Sequence, residues 1–187
     1  MSGPRFAPLT YATMSAEQQA VVDQVSKGPE KKIENSMNLW LRSPGLALPL
    51  GKLSEFVRFG GVIPNSLKEL VICVVARHWT AQYPWSAHYG MAAEEGISTA
   101  VLDQIAVGKV PDSLSKDERR VYDFARALLA GGEVDEAVFK PVHDQFGDAG
   151  TVELVGLVGN YTLVCMNKNV DMVPPKPGKA PRLLPLN

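Results

Sequence analysis

Cysteine is scarce in this chain: only Cys73 and Cys165 occur in 187 residues, far apart and without CxxC spacing. Neither a dithiol nor a zinc-ligand set can be assembled from them, and free cysteines this few are expected to be buried and inert. Charge of one sign is also lacking, because 19 Lys and Arg stand against 20 Asp and Glu for a formal net charge of -1. That removes the positive field on which nucleic-acid binding depends, so no nucleic-acid partner is expected. The longest apolar stretch, Leu154 to Met166, is interrupted by Gly156, Gly159, Asn160 and Thr162. It falls short of the about 20 residues that span a bilayer, so it is expected in a core and no membrane partner is expected. Met1 to Arg5 open no apolar h-region, which makes the cytoplasm the expected address. No GxGxxG or phosphate loop is present, and Gly60 with Gly61 reads as a helix stop. Runs of alternating β-branched residues are missing too, which leaves an all-α class.

What is there is a globular composition, 45% hydrophobic and 21% charged, in a length that fits one domain over residues 1–187. Within it, 1–14 reads as an N-terminal segment and 174–187 as an extended arm. Ser15 with Gln18 has the form of a capping box, and Gly28 supplies a left-handed stop. After Pro44, the spacing of Leu50, Leu53, Phe56 and Val57 predicts a second helix. Ser66 with Glu69 reads as another capping box, opening a wide apolar stripe through Leu70, Val71, Val74 and Val75 that predicts a central helix. Pro84 suits the first turn of the next helix, and Gly96 closes it. A short helix follows from Ser98 to Gly108, and Ser115 with Glu118 caps the next, which turns Val121, Phe124, Ala125 and Leu128 inward. A helix from Asp135 to Phe146 is expected to kink or divide at Pro141 and to stop at Gly147. The last, from near Thr151, carries Val155, Val158, Tyr161, Thr162 and Cys165, with Gly156 and Gly159 allowing close backbone approach. The proline-rich tail, whose Leu183, Leu184 and Leu186 are apolar, is expected either to lie across a neighbouring subunit or to fray.

Chemistry concentrates between Asn65 and Gly96, where Glu69, His78, Trp79, Tyr83, Trp85, His88 and Tyr89 surround one helix-turn-helix. Trp85, His88, Tyr89 and Ala92 follow helical spacing, which predicts an aromatic pocket around His88. His88 is the acid-base candidate because an imidazole titrates near working pH. Its neutral alternative is a hydrogen-bonded core histidine, as the neutral alternative for Glu69 is a helix cap. His78, opposite Glu69 on its helix, reads as structural or interfacial, and His143 has no evident role. The histidines lack the pairing of a zinc motif, so no metal is expected. Arg42, Arg58 and Arg77 are the guanidinium forks available to a carboxylate.

The run PNSLKELVICVVARHWTAQYPWSAHYGMAAEEGIS resembles the signature helix pair of the carboxymuconolactone decarboxylase and alkylhydroperoxidase AhpD superfamily. The likeness extends from about residue 35 to residue 172. In the AhpD branch a glutamate is followed by a CxxC pair and then a histidine. Glu69 and His88 match the two ends, while Ala81 and Pro84 stand at the cysteine positions and Tyr83 stands where that branch has a second histidine. The resemblance therefore implies an AhpD-like helical bundle of the cysteine-free branch, without CxxC-dependent peroxidase activity. It implies a homo-oligomer (dimer, trimer or hexamer) and a cofactor-independent lyase that decarboxylates a small carboxylated lactone or related ring-cleavage acid. In that reading His88, Glu69 and Tyr83 are catalytic, Trp85 and Arg77 bind substrate, and neither cofactor nor metal takes part. The alternatives are hydrolysis, isomerisation or a retro-aldol step on a similar acid, a non-catalytic scaffold, and a redox enzyme using Cys73 alone.

Overall fold

The computed structural model describes residues 3–26, 33 and 35–186, and the helix stop expected at Gly28 lies outside them. Among the described residues there are eight α-helices and no strand. They are α1 (Ala16–Val25), α2 (Asn35–Trp40), α3 (Pro44–Phe59), α4 (Asn65–His78), α5 (Gln82–Glu94), α6 (Thr99–Ala106), α7 (Lys116–Gly131) and α8 (Glu136–Asp171). The short α2 was not anticipated from the sequence.

Helix α4 is the axis of the molecule. Ten of its fourteen residues are buried, and it packs against α3, α5, α6, α7 and α8; an apolar surface on nearly every side leaves a helix no solvent-facing option. One contiguous core runs from Met14 to Leu183, with α4 through its middle. Lys68 is the polar exception near the α4 N-terminus. Its ammonium donates to the carbonyls of Gly60 at 2.5 Å and Arg58 at 3.4 Å, closing the C-terminal end of α3. Glu153 of α8 accepts the Val62 amide at 2.8 Å, so the α3–α4 link is held from both sides.

Two of the three capping boxes form as expected, at Ser15–Gln18 and Ser115–Glu118. The Ser66–Glu69 box does not. Helix α4 begins two residues earlier, behind Pro64 and with no side-chain cap, and the Glu69 carboxylate is drawn across to α5. Pro141 lies inside α8 without breaking it, and the break falls at Gly147, whose φ of 66° and ψ of -170° divide 136–146 from 148–171. A left-handed glycine changes the chain direction outright, whereas a proline near a helix start loses little because few intrahelical bonds precede it. Of the two glycines expected to admit a neighbouring helix, Gly156 faces Val57 at ordinary contact distance and Gly159 faces open space. Helix α8 is long and apolar enough to cross a bilayer, but half of its most apolar window is buried in the protein.

The turns that set helix directions share one device. At the ends of α4, α5, α6 and α8, paired backbone bonds such as Thr80 to Arg77 and Ala81 to Ala76 close the last turn around a left-handed residue. Gly96 and Gly108 occupy that position comfortably, but Thr80 (φ 46°) and Met172 (φ 58°) do not, at a cost of about 1–2 kcal/mol each. Arg77 offsets part of the strain by donating to Thr80 Oγ1 at 2.9 Å. Asn169 caps the same turn through the Trp79 carbonyl at 2.8 Å. The result is a sharp reversal that lays α5 back along α4.

The C-terminal arm lies along the surface of its own chain. The Gln82 side-chain amide pairs with the Leu183 backbone in both directions, at 2.6 and 3.2 Å. Trp85 Nε1 donates to Pro181 O at 2.7 Å, and Arg77 donates to Leu184 O at 2.8 Å. Leu183 is buried while Leu184 and Leu186 stay exposed. The N-terminal segment is tied at Asp171, which accepts the Phe6 amide on its side chain and the Arg5 amide on its backbone. Arg77 therefore serves three acceptors, including Ala106 O at 2.9 Å. Replacing it with Met should lower unfolding stability by about 2–4 kcal/mol, since buried acceptors lose a charged donor. Hydrogen exchange should show the arm opening first, and a stability within experimental error of the wild type would disprove this role.

Candidate active site

Because α5 folds back on α4, His88 returns to the level of Glu69. His88 Nδ1 lies 2.6 Å from Glu69 Oε2 with both side chains largely buried, 9% and 12% exposed. A carboxylate only accepts, so Nδ1–H is the donor and Nε2 is left toward the cavity. Nε2 has no hydrogen-bond partner among the described residues. The other carboxylate oxygen, Oε1, lies 3.9 Å from Arg58 Nη2. Glu69 is thus shared between an imidazole and a guanidinium, an arrangement that fixes the ring's tautomer and orientation. The Tyr161 ring from α8 meets the imidazole edge-on at 5.1 Å. Burial pushes the Tyr161 hydroxyl above its ordinary range, with Arg58 opposing and Glu69 adding, so this phenol stays protonated.

His88 opens on a cavity of about 240 Å³ lined by α2, α3, α5, α8 and the arm. Its walls are rich in hydrogen-bond donors. Arg58, Lys168 and Lys176 contribute positive charge, and three lining side chains carry buried N–H groups without a partner among the described residues: Trp40 Nε1, Arg58 Nε and Asn160 Nδ2. Ser54 occupies Asn160 Oδ1 at 2.8 Å, which turns the amide into a net donor. Lys168 is only 5% exposed. Burial, and secondarily Lys176, draws its pKa below the ordinary lysine value against the pull of Asp171. A cavity furnished this way matches an acceptor-rich, negatively charged ligand.

Of the residues singled out in the sequence, Glu69 and His88 are paired here, and Tyr83 lines the same cavity as His88. Trp85 and Arg77 do not. Trp85 is fully buried against the arm and meets Tyr89 edge-on at 5.5 Å; the aromatic neighbour of His88 is Tyr161 rather than the indole. Arg77 faces a separate recess beside His78 and Arg126, and Arg58 is the guanidinium at the site. Trp40, Asn160, Tyr161, Lys168 and Lys176 were missed. The readable signal was on α8, where Asn160 and Lys168 fall on the same face as Leu157, Tyr161 and Val164; polar residues at core positions mark a site more often than chance does.

The cysteines stand apart from this chemistry. Cys73 and Cys165 are both free and buried. Burial, with Glu69 adding, raises the Cys73 thiol well above its usual value, and burial pushes Cys165 up to about 12. These shifts remove the support for a redox role of Cys73. Among the described residues no three His, Cys, Asp or Glu side chains gather as a metal site would need.

The sequence matches no protein-family model and no curated protein. The fold does have solved counterparts. An uncharacterized peroxidase-related protein from Ralstonia eutropha JMP134, described as an alkylhydroperoxidase AhpD core, superposes with a TM-score of 0.74 at 17% identity over 94% of both chains. A cysteine-to-alanine variant of the debrominase Bmp8, in complex with 2,3,4-tribromopyrrole, gives a TM-score of 0.62 at 15% identity over 91% of this chain and 92% of that one. The chain has the all-helical AhpD core fold. In native protein at pH 8, neither Cys73 nor Cys165 should react with iodoacetamide over hours, and both should react on unfolding. Rapid native labelling detected by mass spectrometry would contradict the burial described.

Proposed function

We propose that this protein is a cofactor-independent enzyme in which the Glu69–His88 pair performs acid-base chemistry on a small acidic molecule, with loss of carbon dioxide from a carboxylated lactone or related ring-cleavage acid as the leading reaction. The observation that carries this reading is the 2.6 Å Glu69–His88 contact at the wall of a donor-rich cavity. A histidine serving the core alone would be sealed on both nitrogens, whereas here Nε2 is left to a ligand.

Decarboxylation breaks a carbon–carbon bond and leaves its electron pair on the substrate, delocalised into a conjugated carbonyl as an enolate. Donors that hold the enolate oxygen lower the barrier, and an acid must then protonate the carbon. Protonated His88 gives its Nε2 proton to that carbon, while Glu69 stabilises the imidazolium before transfer and holds the ring in place. Water returns the proton after product leaves. Arg58 is the group assigned to the developing oxyanion, while Tyr83, five residues before His88 on α5, lines the same cavity further from the imidazole. A debrominase of the same fold binds tribromopyrrole, and a small ring of that kind agrees with a cavity of about 240 Å³. The proposal places the enzyme in the cytoplasm as a homo-oligomer, in keeping with exposed apolar side chains such as Phe59 and Val152.

His88→Ala and Glu69→Gln should each lower turnover by about 10²–10⁴-fold, the usual reach of a positioned acid or base. Far-UV circular dichroism and sedimentation should stay unchanged. A panel of carboxylated lactones and ring-cleavage acids, followed for both substrate loss and carbon dioxide release, tests the reaction. Carbon dioxide from wild type alone supports the lyase. Substrate loss without carbon dioxide moves the assignment to a hydrolase or isomerase, and turnover that survives in His88→Ala sinks the role given to the imidazole.

A further inference from the structure

We infer that Lys168 and Lys176, gathered over the ring of Tyr83, form an anion subsite that takes a second carboxylate of the ligand, at the other end of the cavity from His88. The inference rests on the reading of the ligand as a small acidic molecule and narrows it to a dicarboxylate.

The Lys168 ammonium sits 4.7 Å from the Tyr83 ring centroid and the Lys176 ammonium 5.7 Å from it. Two cations share one phenol ring, and both line the cavity. Neither has a carboxylate at ion-pair distance or a hydrogen-bonded acceptor for its ammonium among the described residues. The nearest acid in sequence, Asp171, already accepts the Phe6 amide at 2.8 Å. A cation–π contact attracts each ammonium to the ring, and the charge of Asp171 offsets the repulsion felt at Lys168, but neither ammonium is given a hydrogen-bonded acceptor among the described residues. A carboxylate between them would satisfy both. Lys176 arrives on the arm, whose backbone is fastened there by its own amide donating to Ser86 Oγ at 2.7 Å, so the second cation is placed by the fold rather than by chance.

The spacing of the two ends follows from helix geometry. Helices α5 and α8 run antiparallel, with Tyr83 beside Lys168 and His88 beside Tyr161. The two levels are five residues apart on α5 and seven on α8, or roughly 7.5 and 10.5 Å along the axes at 1.5 Å per residue. Side chains reach inward from both levels, which narrows the gap to the span of a five- or six-carbon diacid. A carboxylate anchored this far from His88 is not the one that reacts; it holds the molecule so that the reacting carbon meets Nε2.

The test is titration calorimetry with adipate against hexanoate, and glutarate against pentanoate, on wild type, Lys168→Met, Lys168→Arg, Lys176→Met and His88→Ala. Wild type should bind each diacid about tenfold or more tightly than the matching monoacid, the worth of one charge-assisted contact. Lys168→Met should erase that preference and Lys168→Arg should keep most of it. His88→Ala should retain it, so the subsite is read independently of turnover: the diacid preference stands even if no acid is ever turned over. No preference in wild type, or an undiminished one in folded Lys168→Met, overturns the subsite. Should Lys168→Met not fold, Lys176→Met decides, because its side chain is exposed; an unchanged preference there overturns the inference equally.

Discussion

A helix buried on nearly every side can carry a carboxylate only if something inside the protein answers its charge. On α4 that residue is Glu69, and its answer is His88 on the returning α5 together with Arg58 on α3. Removing one partner of such a buried pair strands the other in a poorly solvated place. The pairing therefore ties three helices to one register, and the cavity is the space left where α2 and α8 close over the imidazole.

That dependence explains what local sequence could and could not convey. Ser15–Gln18 and Ser115–Glu118 form capping boxes because nothing distant competes for their side chains. Ser66–Glu69 has the same spelling, yet its glutamate is worth more to a histidine nineteen residues on than to its own helix end. The α4–α5 pair was legible because its apolar period and turn punctuation are local, and the resemblance to AhpD-like proteins fixed which glutamate and histidine to pair. Arg77 was misread for the opposite reason: its sequence neighbourhood is that of the site, but its side chain leaves α4 on the face that receives the arm.

Lys168 and Asn160 lie far along α8 and meet the site only because that helix crosses α5. Their signal in the sequence was an interruption of an apolar face, which could equally have been solvent exposure until the burial of Leu157, Tyr161 and Val164 was known. The arm was harder still. A proline-rich segment has no periodicity from which to read a docking partner, and its placement depends on three side chains, Arg77, Gln82 and Trp85, that recognise its carbonyls.

The donor-rich wall has a thermodynamic side. Trp40 Nε1, Arg58 Nε and Asn160 Nδ2 are buried without acceptors among the described residues, and each such group weighs against the folded state until something accepts from it. In the proposed reading, residues that line the anion-binding cavity are thus also ones that make the native state less stable than its core alone would allow. In the proposed reading occupancy and foldedness are linked: an acidic ligand at concentrations well above its dissociation constant would hold this chain in its folded state, and its scarcity would shorten the protein's lifetime in a cell.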